Sequence, residues 1–182
     1  PRKRYGVVMG SVAKLKFKEV SELALVRVDL GSFVVPDGFT PIKNLLNRWP
    51  IKDNSVDEAN CNYVLHLMTM RERIHFFNEL YRILKPGGKC RIDVPYWCAS
   101  KAYGDPRVQW PPVTEYFFPM LSKAYRDQQR DPDSIGLKCN FDHTLGYGMH
   151  PMIATRNQEY QQHAVSFWKE AAQELIATVT KI

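Results

Sequence analysis

The stretch from Asn47 to Pro95 constrains the fold more than any other part of the chain. It reads NRWPIKDNSVDEANCNYVLHLMTMRERIHFFNELYRILKPGGKCRIDVP: a turn, a buried strand, an amphipathic helix stopped by Lys-Pro-Gly-Gly, and a second strand. That order is one βαβ unit, and strands joined by a helical crossover run parallel. Asp53-Asn54-Ser55 supplies the turn. Val56 to Leu65 supplies the strand, whose C-terminal end places Asn62, Tyr63 and His66 at the edge of the sheet. From Met70 to Leu84 the apolar positions Ile74, Phe77, Leu80, Tyr81 and Leu84 recur at spacings of three and four, a single buried stripe with Arg71, Glu72, Arg73 and Glu79 outside it. Pro86 cannot continue the helix and the Gly87-Gly88 pair accepts a left-handed cap. Lys89 to Val94 then alternates as a strand closed by Pro95.

Upstream, LALVRVDLGS at residues 23–32 is a β-branched run ending in Asp29-Leu30-Gly31-Ser32, the pattern of a central strand feeding a turn. The following FVVPDGFTPIKNLLNRWP carries Pro36, Gly38, Pro41 and Pro50, so it accommodates one short strand around Phe39 to Leu45 and no helix. Downstream of Pro95 the rings crowd together: Tyr96, Trp97, Tyr103, Trp110, Tyr116, Phe117 and Phe118. Pro111 and Pro112 can open a helix over Val113 to Asp127, its inward face Tyr116, Phe117, Met120, Leu121 and Ala124. A strand near Lys138 to His143, a helix over Asn157 to Ala171 and a closing strand from Leu175 to Ile182 complete the expectation. Residues 4–20 fit a strand pair or a helix start equally.

With 182 residues, 45% of them apolar and 12% aromatic, the chain can bury one core, so residues 1–182 are expected to form a single domain. No run of 18 apolar residues is present to cross a bilayer. The basic start has no apolar block followed by a small-residue cleavage site, so no secretory signal is expected and a cytoplasmic location is the default. The net charge of +6 is concentrated in Arg2, Lys3, Arg4, Lys14, Lys16 and Lys18, all ahead of the first acid, Glu19. A basic segment over residues 1–18 can hold the phosphates of a nucleic acid, contact another subunit in an assembly, or remain a solvated arm. Cys61, Cys90, Cys98 and Cys139 form no C-x-x-C pair and read as free thiols, and His143 and His150 lack metal-ligand spacing, so no metal is expected.

The strings RWPIKDNSVDEANCNYVLHL and ELYRILKPGGKCRIDVPY resemble those of the class I S-adenosylmethionine-dependent methyltransferases, which show a W-P-F-x-D-N-S-(V/F)-D turn, a strand ending in a V-L-x-H-like segment and an R-x-L-K-P-G-G element. The likeness covers about fifty residues closely. It implies a Rossmann-like α/β fold: a mostly parallel sheet flanked by helices, shortened near the N-terminus, with an aromatic insertion after the strand at 89–95. In such sheets ligands lie beyond the carboxyl ends of the strands. The resemblance therefore implies S-adenosylmethionine as cofactor, held across Asp29, Gly31, Ser32, Leu46, Asn62, Tyr63 and His66, with an unknown acceptor under Tyr96, Trp97, Tyr103 and Trp110. Asp29 is expected to orient its loop by accepting backbone N–H bonds. His66 is expected to serve as a cleft base or, alternatively, in capping and packing.

The chain departs from the family upstream of the turn. Phe33 and the valines after it replace the second glycine of the D-x-G-x-G loop, and Lys43 stands near where a ribose-binding acid belongs. The interval between the first two strands is too short for the usual helix, and Leu45-Leu46-Asn47 stands where relatives often carry Asp-Leu-Asn beside the adenine. A lost charge-assisted hydrogen bond of roughly 1.5 to 3 kcal/mol weakens binding about ten- to a hundredfold. Two expectations follow: a methyltransferase of unknown acceptor with weakened or absent cofactor affinity, or a pseudoenzyme that keeps the fold as a binding or structural subunit. An open space above Gly31 favours the first, and a slot filled by Phe33 or neighbouring side chains the second.

Overall fold

The βαβ unit takes shape as its residues require in a computed structural model that describes residues 25–129 and 135–182; the basic segment 1–18 lies outside them. Strands β1 (Arg27–Leu30), β2 (Thr40–Ile42) and β3 (Val56–Asn62) precede helix α1 (Met70–Ile83), which passes directly into β4 (Leu84–Pro95). After it come the short turns of helix α2 (Lys101–Gly104) and α3 (Lys123–Arg126), then β5 (Phe141–Met149), α4 (Pro151–Ala154), α5 (Gln158–Phe167) and β6 (Ala172–Lys181). The strands form one six-stranded sheet in the order β2-β1-β3-β4-β6-β5. The first four are mutually parallel, while β6 runs antiparallel to β4 and β5 antiparallel to β6. Between β1 and β2 the chain forms no helix, as its prolines dictate.

Thr69 opens α1 with a capping box: its side chain accepts from the Glu72 backbone N–H, and the Glu72 carboxylate accepts from Thr69 N at 2.7 Å. The buried stripe is Arg73, Phe76, Phe77, Leu80 and Ile83, rotated from the expected face, and Arg73 lies inside it. These residues join Val56, Cys61, Cys90, Ile92, Ala177 and Val179 in one core on one side of the sheet. Alternate strand positions point the other way, where Glu58, Asn60, Asn62, Lys89, Arg91 and Asp93 floor a polar depression of 460 Å³.

The Lys-Pro-Gly-Gly element makes a bulge inside β4: Val56 pairs with Leu84 but Glu58 with Lys89, so the four residues Lys85 to Gly88 stand opposite Asp57 alone. Gly87 sits at φ 78°, where a side chain is strained. Gly88 is required for a different reason, because a Cβ there would meet Lys85 O at 2.9 Å and Val56 O at 3.1 Å.

The expected helix over Val113–Asp127 divides into a 3₁₀ segment, Glu115–Leu121, with Pro119 inside it, and the single turn of α3. Its buried side chains are Val113, Phe118 and Leu121, while Tyr116 points outward at 85% exposure. A three-residue repeat replaces the expected 3.6-residue repeat, which turns Phe118 inward and Tyr116 outward.

Candidate functional site

The carboxyl ends of β1 and β3 are tied together by a polar network. Asp29, fully buried, accepts from Ser32 N at 3.0 Å through Oδ2 and from Asn60 Nδ2 at 2.8 Å through Oδ1. Asn60 Nδ2 also reaches Ser32 Oγ at 3.2 Å, and Ser32 Oγ accepts from Asn62 N at 2.8 Å. Asp29 therefore orients the loop, and its carboxylate is consumed in doing so. Gly31, exposed, occupies φ 75°, and Leu45 Cδ1 lies 3.0 Å from where a Cβ would stand. Phe33 turns wholly to solvent at 99% exposure and does not fill the space above Gly31. Leu46 is 62% exposed beside it in sequence to the buried Leu45.

Beyond β3, Tyr63 adopts φ 56°, a region uncommon for a bulky residue and one that turns the chain sharply out of the strand. Its N–H bonds Asp93 O at 2.8 Å, which fixes the turn against β4. Its hydroxyl donates to Glu174 and accepts from Lys101 Nζ at 3.0 Å, and Lys101 Nζ bonds Glu174 Oε1 at 2.6 Å. Burial, and then the Glu174 carboxylate, raise the Tyr63 pKa. Burial works against the charge of Glu174, but the Lys101 and Tyr63 bonds outweigh it and leave that carboxyl below its ordinary range. Glu174 occupies the space over Gly148, its partner on β5, where any side chain would overlap its carboxylate.

His66 lies in the 3₁₀ turn Leu65–Leu67, buried, with its ring edge-on to Tyr63 at 6.1 Å. Its Nδ1 and the Asn62 Oδ1 are buried polar atoms with no hydrogen-bond partner among the described residues. Burial pushes the His66 pKa down to about 4, so the ring is neutral at physiological pH. The imidazole is packed rather than presented to the cleft.

The aromatic set divides. Tyr96 is 3% exposed and belongs to the core, its hydroxyl donating to Glu115 Oε1 at 2.7 Å. Trp97 and Tyr103, about half exposed, line a groove of 310 Å³ with Phe167 and Trp168. Trp110, at 78% exposure, lines a separate groove of 260 Å³ whose wall also includes Tyr103. Asn60, Lys101 and Glu174 join the site without having been singled out in the sequence. Asn60 was within reach of such a reading, being two residues before Asn62 on the same strand face.

S-adenosylmethionine presents an ammonium and a ribose diol as donors and a carboxylate as acceptor of hydrogen bonds. The Asn62 Oδ1 at the end of β3, without a partner among the described residues, offers an acceptor to a donor, while Leu45 Cδ1 and Val64 Cγ1 stand 3.0 and 3.7 Å from where a Cβ on the exposed Gly31 would lie. At the end of β2 the exposed Lys43 and Asn44 offer the diol no carboxylate, and the Asn44 Oδ1 already accepts from Leu46 N at 3.2 Å. The residues present thus fit the amino-acid end of the molecule better than its ribose.

The family profile described as "Methyltransferase domain" matches residues 19–92. Among solved structures, a chain of the Haloferax volcanii complex between the Trm112 methyltransferase activator and a candidate methyltransferase is similar at TM-score 0.51 and 13% identity, over 87% of this chain and 82% of that one. A SAM-dependent methyltransferase from Archaeoglobus fulgidus is similar at TM-score 0.53 and 11% identity, over 79% of this chain and 68% of that one. No curated protein matches in sequence.

Proposed function

We propose that this chain, whose residues 19–92 match a methyltransferase-domain profile, binds S-adenosylmethionine at the carboxyl ends of β1 and β3 and transfers its methyl group to an acceptor beside Tyr63, Trp97 and Tyr103. The single observation that carries this reading is the buried Asn62 Oδ1, without a partner among the described residues, on a residue whose N–H bonds the Ser32 hydroxyl just after Gly31. A buried acceptor without a donor costs about 1 to 3 kcal/mol, a cost that a ligand N–H or O–H removes. The cofactor supplies an activated methyl carbon open to in-line displacement. The protein's part is then to hold the acceptor at the right distance and angle, which Tyr63, fixed by Asp93 O, Glu174 and Lys101, is built to do.

The test uses Asn62→Ala. Because Asn62 Oδ1 has no hydrogen-bond partner among the described residues, the substitution should not lower the apo melting temperature. It should remove most of the melting-temperature rise given by saturating S-adenosylhomocysteine, by weakening binding about tenfold or more. An equal ligand-induced rise in wild type and variant would sink the assignment of Asn62.

Lys43 favours a second reading, in which the fold serves as a binding or structural subunit without catalysis. The Haloferax complex, which pairs a methyltransferase fold with an activator protein, is consistent with that use. Failure of the wild-type chain to bind either S-adenosylmethionine or its demethylated product would decide for it.

A further inference from the structure

Trp168 stands between two grooves. On one side is the 310 Å³ groove of Trp97, Tyr103 and Phe167; on the other, a groove of 300 Å³ lined by His150, Arg156 and Tyr160. Lys169 lines both. The rings are unusually available for a folded chain: Phe167 is 74% exposed and Trp168 41%. They are also held in place. The Trp168 N–H bonds Ala164 O at 2.8 Å, closing α5, and Tyr160 meets the Trp168 ring edge-on at 5.2 Å. The Arg156 guanidinium lies 5.6 Å from the Tyr160 centroid.

In the second groove the cations Arg156 and Lys169 outnumber the one acid, Glu170. Glu170, the acid in the second groove, is engaged by Ser100 N at 2.7 Å, by Ser100 Oγ and by Gln173 Nε2 at 3.1 Å. Arg156 and Lys169 are exposed and enter no ion pair among the described residues. Flat rings at successive positions with unpaired cations between them are the chemistry that takes stacked bases and their phosphates.

We infer that the paired grooves bind a single-stranded polynucleotide, with one base on each side of Trp168 and the intervening phosphate at Lys169. Helix α2 carries Tyr103 in this groove and Lys101 against Tyr63, so a strand lying here passes beside the cleft. As an identification of the methyl acceptor, this rests on the reading above; the binding itself does not.

Fluorescence anisotropy of a labelled oligodeoxythymidine of about eight nucleotides, titrated with the full chain, tests it. Phosphate contacts at Lys169 and at Arg156 on a single strand give a slope of log affinity against log salt of about −1.4, and Lys169→Gln should bring it to about −0.7. Trp168→Ala should weaken binding between about fivefold and about a hundredfold, and Trp168→Phe should recover most of the loss. An oligouridine should bind comparably, because stacking reads only the face of the base. No binding, or binding indifferent to both Lys169→Gln and Trp168→Ala, would overturn the proposal. Should Trp168→Ala fail to fold, Lys169→Gln and Arg156→Gln at exposed positions decide through the salt slope alone. Loss of cofactor binding with oligonucleotide binding intact would overturn the methyltransferase reading and leave this site standing.

Discussion

Arg73 is a cation in a core position, and its three backbone acceptors explain why. It donates to Leu65 O at 3.1 Å, Pro111 O at 2.7 Å and Gln109 O at 3.2 Å, so it fastens the loop after α2 to the start of α1. Burial lowers its pKa to about 10, which still leaves it charged at neutral pH. Arg73→Met, similar in volume, would strand those carbonyls and should cost about 3 kcal/mol, read as a lower denaturant midpoint at constant slope. His66 gives a pH signature. Its folded pKa of about 4 lies below the unfolded value of about 6.5, so the unfolded chain holds the extra proton between them. The His66 contribution is fully present above about pH 6.5 and is lost as pH falls toward 4. His66→Gln should flatten the stability profile in that window relative to wild type, and parallel profiles would contradict the assignment. The charge on Arg73 hid its burial from a reading by polarity: the apolar residues of this helix fit a stripe through Ile74 and Tyr81 almost as well as the true one through Phe76 and Ile83.

The central elements were legible because each is written locally. The apolar repeat and Lys-Pro-Gly-Gly place the end of α1 within a residue of where it is found, and the strands on either side follow. The two glycines are not equivalent, and substitution separates them. Gly88→Ala drives a methyl group into backbone carbonyls that cannot yield, so it should destabilise by several kcal/mol, comparable to core overpacking and strain combined, whereas Gly87→Asn, with an amide that tolerates left-handed backbone, should cost less than about 1 kcal/mol. Comparable midpoints for the two variants in chemical denaturation would refute this account of the bulge. Where local cues were weak, tertiary contacts decided: Pro119 lies inside the segment expected to be a helix, which instead winds as a 3₁₀ turn. The Tyr63–Glu174 contact joins residues 111 apart, and no pattern of spacing in one sequence foretells it.

On the scale of the whole molecule the sheet has two unlike faces. One carries the core. The other, among the described residues, presents Arg27 paired to Glu58 at 2.7 Å and Arg91 to Asp93 at 3.0 Å, with the polar ends of β1 and β3 between them. On β6, between β4 and β5, Lys181 donates to Asn54 Oδ1 at 2.6 Å, Tyr81 O at 2.6 Å and Leu84 O at 2.9 Å, binding the last strand back to the turn and helix of the central unit. The fold is therefore closed around the βαβ unit, while the part between Gly31 and Leu46 is a loop and one short strand, β2. No described helix is long and apolar enough to cross a membrane. The central claim is that this edge of the sheet still holds S-adenosylmethionine, and calorimetric titration of S-adenosylhomocysteine into the wild-type chain and into Lys43→Glu tests it most directly. The account predicts saturable one-to-one binding by the wild type, tightened about ten- to a hundredfold when the acid is restored. No saturable heat from either protein would contradict it.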